Sequence, residues 1–241
     1  MRNVVAISPH LDDAAFSAGG TIAMLAAKGF AVTMVTVFTA SVPNPQGFAL
    51  ACQLDKGLPP EIDYMALRRQ EDRAACALLG ATPHWLGLPE APHRGYGSAR
   101  ELFGPVRADD RIDLTDALGA LLQALSPDIA LVPQGLGGHV DHVQLVRALR
   151  GMKLAPSVMW WRDFPYAARE GDVAEPFASE MQPFPKSTMP LDEAALRCKR
   201  EACLAYASQI GFQFGGAEGL RSLLHAQGNI EHFRIQDARP G

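Results

Sequence analysis

The chain has no long apolar run and no excess of basic charge. None of its 241 residues falls in a window of about 18 or more consecutive apolar side chains, so we expect no membrane span. Its 22 Lys and Arg residues are outnumbered by 26 Asp and Glu, which gives a formal net charge of −4. A surface that binds nucleic acid or an anionic membrane is normally basic. We therefore expect neither as a partner, and the oligomeric state is left open.

Cysteine is also scarce, and the chain contains no CxxC pair that would indicate a metal or redox motif. Two of its four cysteines, Cys76 and Cys203, lie in helix-like segments beside alanines and leucines. This setting predicts buried free thiols, which fit a reducing compartment. The short N-terminal apolar stretch leads into Pro9 and His10 rather than a small-residue cleavage site, so we do not expect a signal peptide. The predicted localisation is cytoplasmic.

What the sequence does contain is an alternation of strand and helix patterns. Short apolar runs predict strands at 4–8, 31–38, 84–88, 128–134 and 157–164. Helical spacing predicts helices at 19–29, 64–81, 113–125, 143–152 and 192–210. Such alternation favours an α/β fold with a mostly parallel, Rossmann-like sheet and helices on both faces. No internal repeat or boundary divides the chain, so we expect one domain over residues 1–241.

The stretch 39–63 is the main irregular segment. It holds four prolines and two glycines without a clean period. It is too long for a simple connection, which predicts a functional loop or lid that shapes substrate choice.

Polar side chains follow two of the predicted strands. The first cluster follows strand 4–8, and the second follows strand 128–134 in a glycine-rich turn. The two clusters are His10, Asp12 and Asp13, and His139, Asp141 and His142. Ligands of open α/β sheets bind at the carboxyl ends of the strands, so we expect both clusters at one edge of the sheet.

These residue types are typical of a catalytic metal site. Two imidazoles and one carboxylate can hold a zinc ion with a position left open for water, and the same set can hold Fe(II). One carboxylate is then spare and can act as a general base. A spare histidine can stabilise an oxyanion or protonate a leaving group, and Asp141 can hold that histidine and raise its pKa. Alternatively, Asp12 or Asp13 could simply cap a helix that follows the strand.

At these residues the sequence resembles the LmbE-like (PIG-L) family of metal-dependent N-acetylglucosaminyl deacetylases. The similar segments are "PHLDDAAFSAGGTIA", "RRQEDRAACALLG", "GGHVDH" and "KREACLAYASQ". The resemblance implies that His10, Asp13 and His142 bind Zn²⁺, with Fe²⁺ or another divalent metal as options. It also implies that Asp12 is the general base, His139 the oxyanion-side group and Asp141 its orienting partner.

The resemblance further implies hydrolysis of an acetamide on an amino sugar or glycoconjugate, which is then the small-molecule substrate. Ala14 stands where the family usually has Glu, outside the implied ligand set. Arg68 and Glu71 are weaker candidates, with Arg68 as a substrate-binding residue. They lie one helical turn apart, so a simple ion pair between them is the default interpretation. Trp160, Trp161 and Tyr166 are expected in the core, with a sugar-stacking aromatic as the alternative.

Three other functions share some of these sequence features. An Fe(II) oxygenase also uses an HxD…H triad, but its usual jelly roll conflicts with the strand–helix alternation. A non-catalytic sugar-binding protein on the same fold would not need the spare Asp12. A Rossmann dehydrogenase is disfavoured because no GxGxxG follows the first strand.

Overall fold

The computed structural model describes residues 2–110, 112–168 and 171–237, and a seven-stranded sheet runs through them. The strands are β1 (Asn3–Ser8), β2 (Ala31–Phe38), β3 (Ala81–Leu88), β4 (Ile129–Pro133), β5 (Ser157–Trp161), β6 (Lys186–Pro190) and β7 (Ile230–Asp237). Their order across the sheet is β3-β2-β1-β4-β5-β7-β6. The strands β1 to β5 are mutually parallel, whereas β7 runs antiparallel to both β5 and β6. The predicted mostly parallel α/β sheet is confirmed.

Helices cover both faces of this sheet. They are α1 (Asp13–Ala27), α2 (Gly47–Leu54), α3 (Tyr64–Leu79), α4 (Ala99–Leu102), α5 (Thr115–Leu125), α6 (Val140–Arg150), α7 (Ala178–Met181), α8 (Glu193–Ala205), α9 (Ala207–Phe214) and α10 (Ala217–Ala226). Alternate residues of β1 enter two separate cores: Val4 and Ala6 pack with α1, α3 and α8, while Val5 and Ile7 pack with α5 and α6. Burial on both faces explains why β1 reads as a continuous apolar run.

The first helix begins earlier than the sequence predicted. It starts at Asp13 rather than at Gly19, so the two glycines lie inside it. A Cβ on Gly20 would come within 2.4 Å of the Leu191 side chain. The buried carboxylate of Glu231 also accepts hydrogen bonds from the Gly20 and Thr21 backbone N–H groups. The glycine pair therefore permits close packing rather than marking a helix start.

The C-terminal third departs most from the sequence prediction. The helix expected over 192–210 is interrupted at Tyr206, which separates α8 from α9. The strands β6 and β7 were not predicted, because both are partly exposed and neither carries a continuous apolar run. The irregular segment 39–63 also contains the helix α2. None of the helices in the described part of the chain has the length and hydropathy to cross a membrane.

Candidate functional site

Both polar clusters lie where the strand order of the sheet reverses. The strands β1 and β4 are direct neighbours, with Val4 opposite Ile129 and Ala6 opposite Leu131. Successive connections run to opposite sides of this pair, which leaves a crevice outside its carboxyl ends. The chain that leaves β1 supplies His10, and the chain that leaves β4 supplies His139. Residues that are more than 120 positions apart in sequence thus meet at one place.

Three of the predicted residues converge on one point. The Asp13 Oδ2 atom lies 3.3 Å from His10 Nδ1 and 3.2 Å from His142 Nε2. Asp13 is the first residue of α1, and His142 lies in the first turn of α6, so two helix starts fix them. All three offer ligand atoms within 4.8 Å of one another. This is the arrangement that a metal ion with two imidazole ligands and one carboxylate ligand requires.

Each histidine of this trio is held from behind by a second carboxylate. His10 donates from Nε2 to Asp141 Oδ2 at 2.9 Å, which leaves Nδ1 facing Asp13. His142 donates from Nδ1 to Asp163 Oδ1 at 3.1 Å, which leaves Nε2 facing Asp13. A carboxylate on the remote ring nitrogen fixes the tautomer and orientation of a metal-binding histidine. In the neutral form of each ring, the remaining nitrogen carries the lone pair and points at the Asp13 carboxylate.

The electrostatics of the trio favour an added positive charge. His142 Nε2 is fully buried and has no hydrogen-bond partner. Burial alone would lower the pKa of His142, but Asp13 and Asp163 outweigh it and raise that pKa to about 9. Burial is likewise overcome at His10, whose pKa is raised by Asp13 and Asp141. An orphaned ring nitrogen in a field that attracts cations fits a divalent metal ion.

A second grouping, His10 with His139 and Asp141, also places ligand atoms close together. Its carboxylate is already engaged, because Arg94 donates to Asp141 Oδ1 at 2.6 Å and the Ala91 N–H donates to Oδ2 at 3.1 Å. The first grouping is therefore the better candidate metal centre.

Asp12 lies beside the trio without joining it. Its Oδ2 accepts from Gln213 Nε2 at 3.1 Å, and its Oδ1 lies 3.5 Å from Arg68 Nη2. Burial raises the pKa of this carboxyl to about 7, against the opposing charge of Arg68. The Asp12 backbone has φ 157° and ψ −35°, a conformation that residues other than glycine rarely adopt. Strain of this kind is found where a side chain is held for function.

Arg68 is buried, and its guanidinium is bound by other groups of the protein. Its guanidinium donates to Glu90 and to the Leu11 carbonyl, in addition to lying near Asp12. The ion pair with Glu71 that the spacing allowed is not formed, because the Glu71 carboxylate binds Ser208 instead. Arg68 borders the cavity, and its predicted contact with substrate stays a prediction.

The relation between His139 and Asp141 differs from the one expected. The Asp141 carboxylate does not reach the His139 ring, since it binds His10, Arg94 and the Ala91 N–H. Instead the Asp141 backbone N–H donates to His139 Nδ1 at 3.2 Å, which caps α6. Burial, reinforced by His10, lowers the pKa of His139 to about 3. His139 is thus a neutral imidazole with its hydrogen on Nε2, and the expectation of a charged ring held by Asp141 was wrong.

These groups line the floor of a large cavity. Its volume is about 690 Å³, and His10, Asp12, Asp13, His139 and Asp141 all border it. Much of one wall comes from residues 41–65, so the irregular segment does face the site as predicted.

Several residues at the site were not singled out from the sequence. Asp163 and Glu90 each stand two positions after the end of a strand, which is the one signal that pointed to them. Phe103 and Gln213 carried no signal at all. Trp160 and Trp161 belong to the two cores on opposite faces of the sheet, as expected, whereas Tyr166 borders the cavity.

An α/β sheet with a histidine–aspartate centre at its switch point defines a class of candidate metal-dependent hydrolases. Within that class, the family model described as GlcNAc-PI de-N-acetylase matches residues 5–153. The chain therefore belongs to the PIG-L family, and the resemblance drawn from its motifs is confirmed.

Individual relatives carry related names. A 2'-N-acetylparomamine deacetylase from Streptomyces fradiae is 33% identical over 171 residues, which cover 69% of this chain and 58% of the relative. A 1D-myo-inositol 2-acetamido-2-deoxy-alpha-D-glucopyranoside deacetylase from Salinispora arenicola is 30% identical over 203 residues, covering 76% and 63%. The match thus spans less than two thirds of either relative.

Among solved structures, the zinc-inhibited form of teicoplanin deacetylase Orf2 superimposes with a TM-score of 0.77 at 23% identity. The superposition covers 99% of this chain and 100% of that one, which shows a shared fold.

Proposed function

We propose that this protein is a metal-dependent hydrolase that removes an N-acetyl or related N-acyl group from an amino sugar. The observation that carries the proposal is the trio His10, Asp13 and His142 with a separate buried carboxylate, Asp12, beside it on the cavity floor. A site that only binds sugar needs no spare base of this kind. The names of the relatives, all amino-sugar deacetylases, support the substrate class.

The residues that would hold the metal are His10 through Nδ1, Asp13 through its carboxylate and His142 through Nε2. Two nitrogen donors and one oxygen donor suit zinc, and the same set accepts Fe²⁺. When bound, zinc supplies a Lewis acid for the amide carbonyl and lowers the pKa of a water molecule to about 7.

The protein's own side chains account for the proton transfers. Asp12, with its pKa near 7, accepts a proton from the attacking water as the new C–O bond forms. His139 donates from Nε2–H to the oxyanion that develops on the former carbonyl oxygen. The C–N bond then breaks, and the proton taken up by Asp12 goes to the departing amine. Arg68 holds the Asp12 carboxylate and the Leu11 carbonyl in place during these steps.

The test is a panel of N-acetylated amino sugars scored for free amine, on protein whose metal content has been measured. We expect about one equivalent of metal per chain, and His10→Ala or His142→Ala should lose both metal and activity. The matched control is His84→Ala, an exposed histidine on β3 outside the cavity, which should keep both. Full metal occupancy in either site variant contradicts the ligand assignment.

We also propose that residues 1–241 act as one catalytic domain in the cytoplasm. The strands β6 and β7 lie outside the family match but continue the same sheet from β5. The ends of the domain, Met1 and 238–241, lie outside the described residues. The free thiols of Cys76 and Cys203, both buried, support a reducing compartment.

A further inference from the structure

Exposed apolar side chains gather around the mouth of the cavity. Seven large apolar residues are exposed in the described part of the chain, and four of them line this one cavity: Val42, Ile62, Phe103 and Phe212. Phe212 is 61% exposed and Phe103 is 46% exposed. Scattered apolar residues on a surface need no explanation, whereas a cluster around a binding site indicates an apolar ligand group.

The cavity is also larger than one sugar requires. A volume of about 690 Å³ is the share of liquid occupied by at least about 20 water molecules. An N-acetylhexosamine has fewer non-hydrogen atoms than that. A sugar whose amide lies at the metal trio therefore leaves the outer part of the cavity, where the apolar residues are, unfilled.

The two exposed phenylalanines are held in place by their neighbours. The Phe103 ring stands edge-on to His139, with centroids 5.3 Å apart, and edge-on to Tyr166 at 6.0 Å. The Lys56 ammonium lies 4.7 Å from the Phe212 centroid and 5.4 Å from that of Tyr64. A wall that is already ordered loses little conformational freedom when it binds.

We propose that this outer wall, formed by Val42, Ile62, Phe103 and Phe212, binds an apolar substituent of the substrate. The preferred substrate is then an N-acylated amino sugar that carries an alkyl or aryl group. The inference rests on the proposed deacylase function and narrows its substrate class. The apolar group can be a long acyl chain on nitrogen or an aglycone on the sugar, and the chemistry that recognises it is the same.

Three substrates separate these sources: N-acetylglucosamine, its hexyl glycoside, and N-hexanoylglucosamine. We expect kcat/KM for at least one of the two compounds with a six-carbon chain to exceed that of N-acetylglucosamine by about tenfold or more. Apolar pockets discriminate between substrates by such factors. An advantage for the glycoside alone places the wall at the aglycone. An advantage for the hexanoyl amide alone places it at the acyl chain.

Variants then connect the preference to the wall. Phe103→Ala and Phe212→Ala should each reduce the ratio of kcat/KM for the favoured hexyl compound to that for N-acetylglucosamine. The matched control is Leu78→Ala, which removes another exposed apolar side chain, from α3 outside the cavity, and should leave that ratio unchanged. A ratio that is unaffected by both phenylalanine variants overturns the proposed wall.

A binding measurement keeps this inference separate from the proposed reaction. Calorimetric titration with hexyl glucoside and with glucose, neither of which has an amide to cleave, reports on the wall alone. Binding of hexyl glucoside that weakens in Phe212→Ala, with no amine released from any substrate, supports the wall and refutes the reaction. Turnover of all three substrates at equal kcat/KM, without hexyl glucoside binding, refutes the wall and leaves the reaction standing.

Discussion

Replacing Asp163 by Asn should weaken metal binding by forcing His142 into the wrong tautomer. Asp163 Oδ2 accepts three backbone hydrogen bonds, from the N–H groups of Gln134, Gly135 and Leu136 at 2.9 to 3.1 Å. In the variant the amide oxygen must occupy this position, because an NH₂ group there would face three donors. The NH₂ group then points at His142 Nδ1, which can only accept, so the ring hydrogen moves to Nε2.

The Nε2 atom is the one that the proposed site offers to the metal. Loss of such a supporting partner typically costs about 10–100-fold in metal affinity. That factor corresponds to about 1.4–2.8 kcal/mol. We expect the dissociation constant of zinc, measured by competition with a chromophoric chelator, to rise by this factor. In metal-free protein above about pH 9, where the His142 ring is neutral, its ¹⁵N chemical shifts should report the changed tautomer independently of activity.

The control for this experiment is Asp109→Asn, which alters an exposed carboxylate that pairs with Arg107. Zinc affinity should be unchanged there. An Asp163→Asn protein that binds zinc as tightly as the parent, with an unchanged His142 tautomer, would refute the reasoning. Comparing thermal unfolding of both metal-free variants shows whether a general loss of structure contributes.

Three further variants test the site. Asp12→Asn should keep zinc but lose about 10²–10⁴-fold in turnover; loss of zinc would make Asp12 a ligand. His139→Ala should lose about 10²–10³-fold with zinc retained, and metal loss in step with rate would contradict the assignment. Gly137 has φ +85°, and a Cβ there would meet the Tyr166 ring at 2.5 Å. Gly137→Ala should therefore destabilise by about 1–3 kcal/mol in thermal unfolding, whereas Gly211→Ala, with open space around it, should not; equal melting of the two would refute this.

Local sequence patterns were sufficient to predict α3, β1 and β2. The helix expected over 64–81 is observed as Tyr64–Leu79, with Gly80 at φ +69° as its C-terminal cap. Its apolar spacing and the glycine that ends it are properties of neighbouring residues, so they can be recognised without knowing the rest of the chain. The same is true of β1 and β2, which are buried on both faces and are therefore made mostly of apolar residues.

Long-range contacts account for what was missed. The helix predicted over 192–210 breaks at Tyr206, whose hydroxyl donates to the buried Asp72 on α3. Ser208, just beyond the break, binds Glu71, which also lies on α3. The helical periodicity of the sequence continues through Tyr206, so no local pattern predicts that the helix is interrupted there.

The sequence by itself determined which chemistry the site can perform. It placed histidines and aspartates at the ends of two strands, and parallel strand ends meet at one edge of a sheet. The tertiary structure alone decided how these groups pair. Asp141 is two residues from His139, yet its carboxylate binds His10, because β1 and β4 are neighbours in the sheet. Asp163 reaches His142 only because β5 lies next to β4. Hydrogen-bond partners are chosen by distance in space, which the order of strands sets and the spacing of residues does not.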